Sequence, residues 1–144
     1  MRAERYPGWM RGVAFLALLF VALVACSSGS AGSAGTSLRI SVWEDGATNG
    51  TPDSVRTLRC NPPRGTLARP ARACTKLAAS GPRLFAETPR SAVCTQLYGG
   101  PQVARIVGTF AGNRISTSVS RKNGCEIARW QRLSPWLLPP GGVR

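Results

Sequence analysis

Four cysteines constrain this chain more than any other feature: Cys60, Cys74, Cys94 and Cys125, all downstream of an export leader. Arg2, Arg5 and Arg11 stand before and beside an unbroken apolar run from Val13 to Ala25. The run is shorter than the ~20 residues a membrane span needs and has the length of a signal-peptide core. An even set of cysteines in an exported domain is the disulfide case. The chain has no histidine and no close Cys-x-x-Cys pair, so neither a zinc site nor a cofactor is expected. Four cysteines allow three pairings. We expect Cys60–Cys74, tying a strand end to a helix across a proline-rich loop. We expect Cys94–Cys125 to tie a loop to the segment after a hairpin. By loop entropy each bridge contributes roughly 3–4 kcal/mol.

The end of the apolar run places the chain after export. Leu23-Val24-Ala25-Cys26 resembles the bacterial lipobox, in which cleavage precedes the cysteine and diacylglycerol joins its sulfur. Residues 1–25 are therefore expected to be a lipoprotein signal peptide. Lipidated Cys26 begins a Gly/Ser-rich tether, residues 26–37, that reaches about 20 Å as flexible coil. Each buried methylene adds roughly 0.8 kcal/mol, so the acyl chains hold the protein at the outer face of the cytoplasmic membrane. Without lipidation the chain would be secreted. Roughly a hundred residues remain, enough for one domain, read as 38–144.

Leu38, Ile40 and Val42 alternate with Arg39, Ser41 and Trp43, a strand with one buried face. Ser54 to Cys60 reads as a second strand. Pro70 to Ser80 reads as a helix: Pro70 suits its first turn, Cys74, Leu77 and Ala78 share a face, and Gly81-Pro82 stops it. A hairpin follows, with Ala104, Ile106 and Phe110 on one face. Ala111-Gly112-Asn113 turns it, and Ile115, Thr117 and Val119 continue that face. Cys125 to Arg129 reads as one helical turn, and Trp136-Leu137-Leu138 as a short last strand. Strands, helix, strands: the fold class is α+β with an antiparallel sheet.

Between helix and hairpin lies Cys94-Thr95-Gln96-Leu97-Tyr98-Gly99-Gly100-Pro101. A cysteine opens the stretch and Gly-Gly-Pro closes it, a combination that neither helix nor regular strand crosses easily. It reads as a stiff, exposed loop that holds Gln96, Leu97 and Tyr98 outward.

The spacing of the four cysteines, Cys74-Thr75-Lys76-Leu77-Ala78-Ala79, Cys94-x-x-x-Tyr98 with proline soon after, and Cys125-Glu126 together resemble the Streptomyces subtilisin inhibitor family over about Leu38 to Leu138. The resemblance implies a five-stranded antiparallel sheet with two short helices, the same two disulfides, often a homodimer, and inhibition of extracellular subtilisin-like serine proteases. It also implies a reactive bond two residues past the third cysteine, here Gln96–Leu97. Gln96 would enter the protease's specificity pocket, with Cys94, Thr95, Tyr98 and Gly99 along the contact. Two positions depart from the family pattern. Thr95 stands where proline is usual, and Gly99-Gly100 replaces an aspartate before the proline. Both should loosen the loop, and the added glycine opens Leu97–Tyr98 as a second register.

Enzymatic chemistry is not expected, because a chain without histidine has neither a Ser-His-Asp nor a Cys-His nucleophile system. The formal charge is +13. Three arginines and one glutamate leave with the leader, so the mature chain keeps +11. Such a field attracts anions, which supports a second reading: a non-inhibitory, basic cell-surface lipoprotein that binds an anionic envelope polymer or an acidic protein. Nucleic acid is not expected as a partner, since the protein is exported and no recognition motif appears.

Overall fold

The computed structural model describes residues 35–141. The leader, Cys26 and most of the expected tether lie outside the described residues. The chain runs β1 (Thr36–Trp43), β2 (Ser54–Cys60), α1 (Pro70–Ser80), a 3-10 turn (Pro82–Phe85), β3 (Val103–Phe110), β4 (Asn113–Ser120) and α2 (Gly124–Leu133). All strand pairs are antiparallel, in the order β2-β1-β3-β4.

Register follows from the hydrophobic pattern. Ile40 faces Arg56 on β2 and Ile106 on β3, Ile106 faces Thr117, and Val42 faces Ala104. A slip of one residue would turn Leu38, Ile40 and Val42 out to water, so burial locks the pairing. One sheet face carries Leu38, Ile40, Val42, Leu58, Ala104, Ile106 and Val119, all buried. The helices cover this face, α1 beside β2 and α2 beside β4. The hairpin between β3 and β4 closes through Ala111 and Gly112, both at positive φ, as a right-twisted two-residue turn requires. The β2 edge is not left open. The segment after β2 folds back on it, with Arg59 and Arg64 exchanging backbone hydrogen bonds of 2.7 and 2.9 Å and Leu67 N–H donating to Thr57 O.

Several expectations change. Thr36 and Ser37, read as tether, already belong to β1 and pair with Cys60 and Arg59. The buried face of α1 is Ala73 and Leu77 with Cys74 half-buried, while Ala78 is exposed. The helix after Asn123 is ten residues long rather than one turn. Asn123 caps it, its side-chain oxygen accepting from Glu126 N–H at 3.0 Å. The sheet has four strands, not five. Trp136-Leu137-Leu138 forms no strand: Leu137 N–H and Leu138 N–H both donate to Leu133 O. Pro135, Pro139 and Pro140 bracket these three residues, and a stretch so short between residues lacking N–H groups cannot carry a ladder. Leu137 and Leu138 instead turn into the core, each 1% exposed or less.

Candidate functional site

From Ala86 to Gln102 the chain makes no regular structure. It is nevertheless held, and the contacts come from one short stretch, Arg121 to Arg129. Arg129 is buried and donates from Nε to Ala86 O at 3.1 Å, from Nη1 to Ser118 O at 3.0 Å and from Nη2 to Thr117 Oγ1 at 2.8 Å. Its partner carboxylate is Glu126, 3.0 Å away, with side chains 7% and 13% exposed. Glu126 also accepts from Thr88 Oγ1 and from Ser120 N–H. A buried guanidinium is tolerable only when its charge and donors are satisfied, and these are. The result fixes the loop's incoming limb against β4 and α2.

The tip is fixed on both sides. Cys94 is bonded to Cys125, with Cα atoms 5.4 Å apart, and Cys60 to Cys74 at 5.7 Å. One residue after Cys94, Thr95 O accepts from Gly124 N–H at 3.0 Å. Past the tip, Gly99 N–H donates to Arg121 O at 2.8 Å, and Arg121 Nη1 donates to Gln102 Oε1 at 2.8 Å. Gln96, Leu97 and Tyr98 lie between these clamps. All three are exposed, and among the described residues none is held by a hydrogen bond.

Glycine gives the close approach at two of the clamps. A Cβ at Gly124 would collide with Thr95 Oγ1, so a larger residue here would have to turn the Thr95 side chain away. A Cβ at Gly99 would fall 2.9 Å from Ile127 Cδ1 and 3.3 Å from Arg121 O. Gly99 is the one buried residue of the loop. The glycine expected to loosen the tip is thus packed against α2.

The apolar surface is concentrated here. Val93 is 100% exposed, Leu97 65% and Tyr98 63%; outside this loop Val55, at 36%, is the one other large apolar side chain so exposed among the described residues. Grouped exposed apolar side chains mark contact surfaces rather than packing.

Sequence reasoning placed Cys94 to Gly99 on an exposed loop and tied it through Cys94–Cys125, but missed the hydrogen bonds from Arg121, Gly124 and Arg129 and the burial of Gly99. The Asn123-x-x-Glu126 spacing is a capping signal that could have extended α2 and placed Cys125 at its start. Nothing local marks Arg121 or Arg129 as buried.

The sequence model of the family described as subtilisin inhibitor-like matches residues 34–123. Among solved structures, the chain is similar to one in the crystal structure of Streptomyces caespitosus sermetstatin in complex with Bacillus licheniformis subtilisin, with 26% identity and a TM-score of 0.51. The match covers 72% of this chain and 97% of that chain. A search of curated proteins returned no match. The family consists of inhibitors and is not enzymatic. With a match across well over half its length, the chain belongs to the subtilisin inhibitor-like family.

Proposed function

We propose that the protein inhibits subtilisin-like serine endopeptidases by presenting Gln96–Leu97 to the active site as a substrate would. One observation carries this reading: three exposed, unbonded residues stand between two backbone clamps, Thr95 O to Gly124 and Gly99 N–H to Arg121 O. An extended tip pairs its backbone with the protease's edge strand while alternate side chains fill pockets. Rigid flanks reduce the ordering cost of that pairing.

The clamps also explain why cleavage would not release the protease. Attack on the Gln96 carbonyl would leave an acyl-enzyme and a free Leu97 amine. The acyl side stays tied through Cys94–Cys125, and the amine side through Gly99 and β3. The amine then remains at high effective concentration and re-forms the bond. An interface of about 1,600 Å² suffices for nanomolar affinity, near −12 kcal/mol. Lipidation at Cys26 would hold this inhibitor at the outer face of the membrane.

The test is titration of subtilisin with the purified protein against a chromogenic substrate. Near-stoichiometric inhibition is expected, and full activity at about tenfold excess would rule the reading out. Mass spectrometry after incubation at low pH should find one cut, at Gln96–Leu97; a cut at Leu97–Tyr98 would shift the register by one. Gln96 is a modest fit for a broad apolar pocket, so Gln96→Met should tighten inhibition about tenfold.

A further inference from the structure

At the far end of α2 from the loop lies a cleft of about 340 Å³, lined by Arg56, Arg69, Arg72 and Lys76 with Leu67, Ala68, Pro135 and Trp136. We propose that it binds a ligand carrying more than one phosphate group, with an apolar or flat portion against Trp136. The proposal does not depend on protease inhibition.

Four cations converge on this cleft and no acidic residue lines it. Among the described residues none of the four forms an ion pair or a side-chain hydrogen bond. Arg56 is the most telling. It stands opposite Ile40, on the helix-covered face of the edge strand, and is half-buried. A half-buried arginine on the cleft wall with no protein partner for its side chain leaves its five N–H donors available to an anion. Arg69, Arg72 and Lys76 follow one another at spacings of three and four, which puts them on one side of α1. Like charges so placed repel, and a multivalent anion would relieve the repulsion. The first turn of α1 carries no acid to offset them.

The choice of phosphate follows from charge and shape. Guanidinium forks match phosphate oxygens two at a time, and three forks with one ammonium call for more than a single carboxylate. The remainder of the wall is apolar. Trp136 is fixed there by its Nε1–H donating to Arg132 O at 3.1 Å, and its volume is that of a small-ligand site. Cys125, which braces the loop, begins α2, and Pro135 lies beyond its end. The ten residues of α2, about 15 Å of helix, lie between them, and no residue of the loop lines the cleft.

Two phosphate sources share this chemistry, and the experiment separates them. The purified protein carrying Cys26→Ser, which removes any acyl anchor, is titrated with tripolyphosphate by calorimetry and by the NMR shift of the Trp136 indole N–H. It is also sedimented with vesicles of equimolar phosphatidylglycerol and phosphatidylcholine, against phosphatidylcholine alone. Arg69→Glu with Arg72→Glu, both at exposed positions that the core does not use, should weaken binding at least tenfold. Arg39→Glu with Arg114→Glu makes the same charge change outside the cleft and should leave binding within about twofold. Arg56→Gln is a second, independent probe of the cleft. Binding of tripolyphosphate with this pattern supports a soluble phosphate ligand. Binding to the anionic vesicles alone, with the same pattern, supports a lipid headgroup. Equal losses in both double variants would mean net-charge attraction, and no binding in either arm would mean an empty cleft; each overturns the proposal. Inhibition of subtilisin is read in parallel and should not change in any of these variants, so failure here is distinct from failure of the inhibitor reading.

Discussion

Under the helices Ile40, Leu58, Ile106 and Leu137 are each 1% exposed or less, whereas from Ala86 to Gln102 only Gly99 is buried. The two regions are ordered by different interactions. The sheet is held by apolar area, at roughly 25 cal/mol per Å² removed from water, a force that acts without direction and tolerates small shifts. The loop is held by a disulfide and a few directed hydrogen bonds from Arg121, Gly124, Glu126 and Arg129. Directed contacts fix a geometry while adding little area. Stability and affinity should then be separable: the core decides whether the domain folds, and the clamps decide whether the tip is ready to bind.

Substitutions can break this separation or sharpen it. Leu58→Ala lies in the core on β2, away from the loop, and should cost about 2–5 kcal/mol in denaturant unfolding. Inhibition per folded molecule should stay the same; a weaker inhibition constant in the folded fraction would show that core and loop are not independent. Cys94→Ser with Cys125→Ser should cost about 2–4 kcal/mol and, unlike Leu58→Ala, should turn the protein into a substrate that subtilisin cuts and releases. Retained tight inhibition would mean the hydrogen bonds alone organise the tip. Gly124→Ala is the sharpest case. Alanine favours helix, so stability should move by less than about 1 kcal/mol. The added methyl displaces Thr95, and inhibition should weaken about tenfold, or ~1.4 kcal/mol. If affinity held while Thr95 moved, the Thr95 clamp would not matter.

Local pattern made much of this legible. The alternation from Leu38 to Val42 placed β1, turn residues placed the β3–β4 hairpin, and Pro70 with Gly81 bounded α1 at the residues observed. Cysteine spacing with Gly-Gly-Pro marked the loop. What the pattern misjudged depends on distant partners. Leu137 and Leu138 read as strand because their apolar character says only that they are buried, not against what. Gly99 read as a loosening insertion because glycine's freedom is visible in sequence and Ile127 opposite it is not. Nothing near Arg121 or Arg129 in sequence marks them as buried, since most arginines are exposed.

The sequence by itself determined β1, α1, the β3–β4 hairpin, the buried sheet face and the exposure of Gln96 to Tyr98, since each follows from residues a few positions apart. Tertiary structure alone decided that a nine-residue stretch at the end of β4 and the start of α2 would grip both limbs of the loop. It alone decided that Arg56 on β2 would line the same cleft as Arg69, Arg72 and Lys76. Hydrogen bonds and charge pairs act over a few ångströms, so their partners are chosen by where the packed core brings the backbone, and that is not written in any local run of residues.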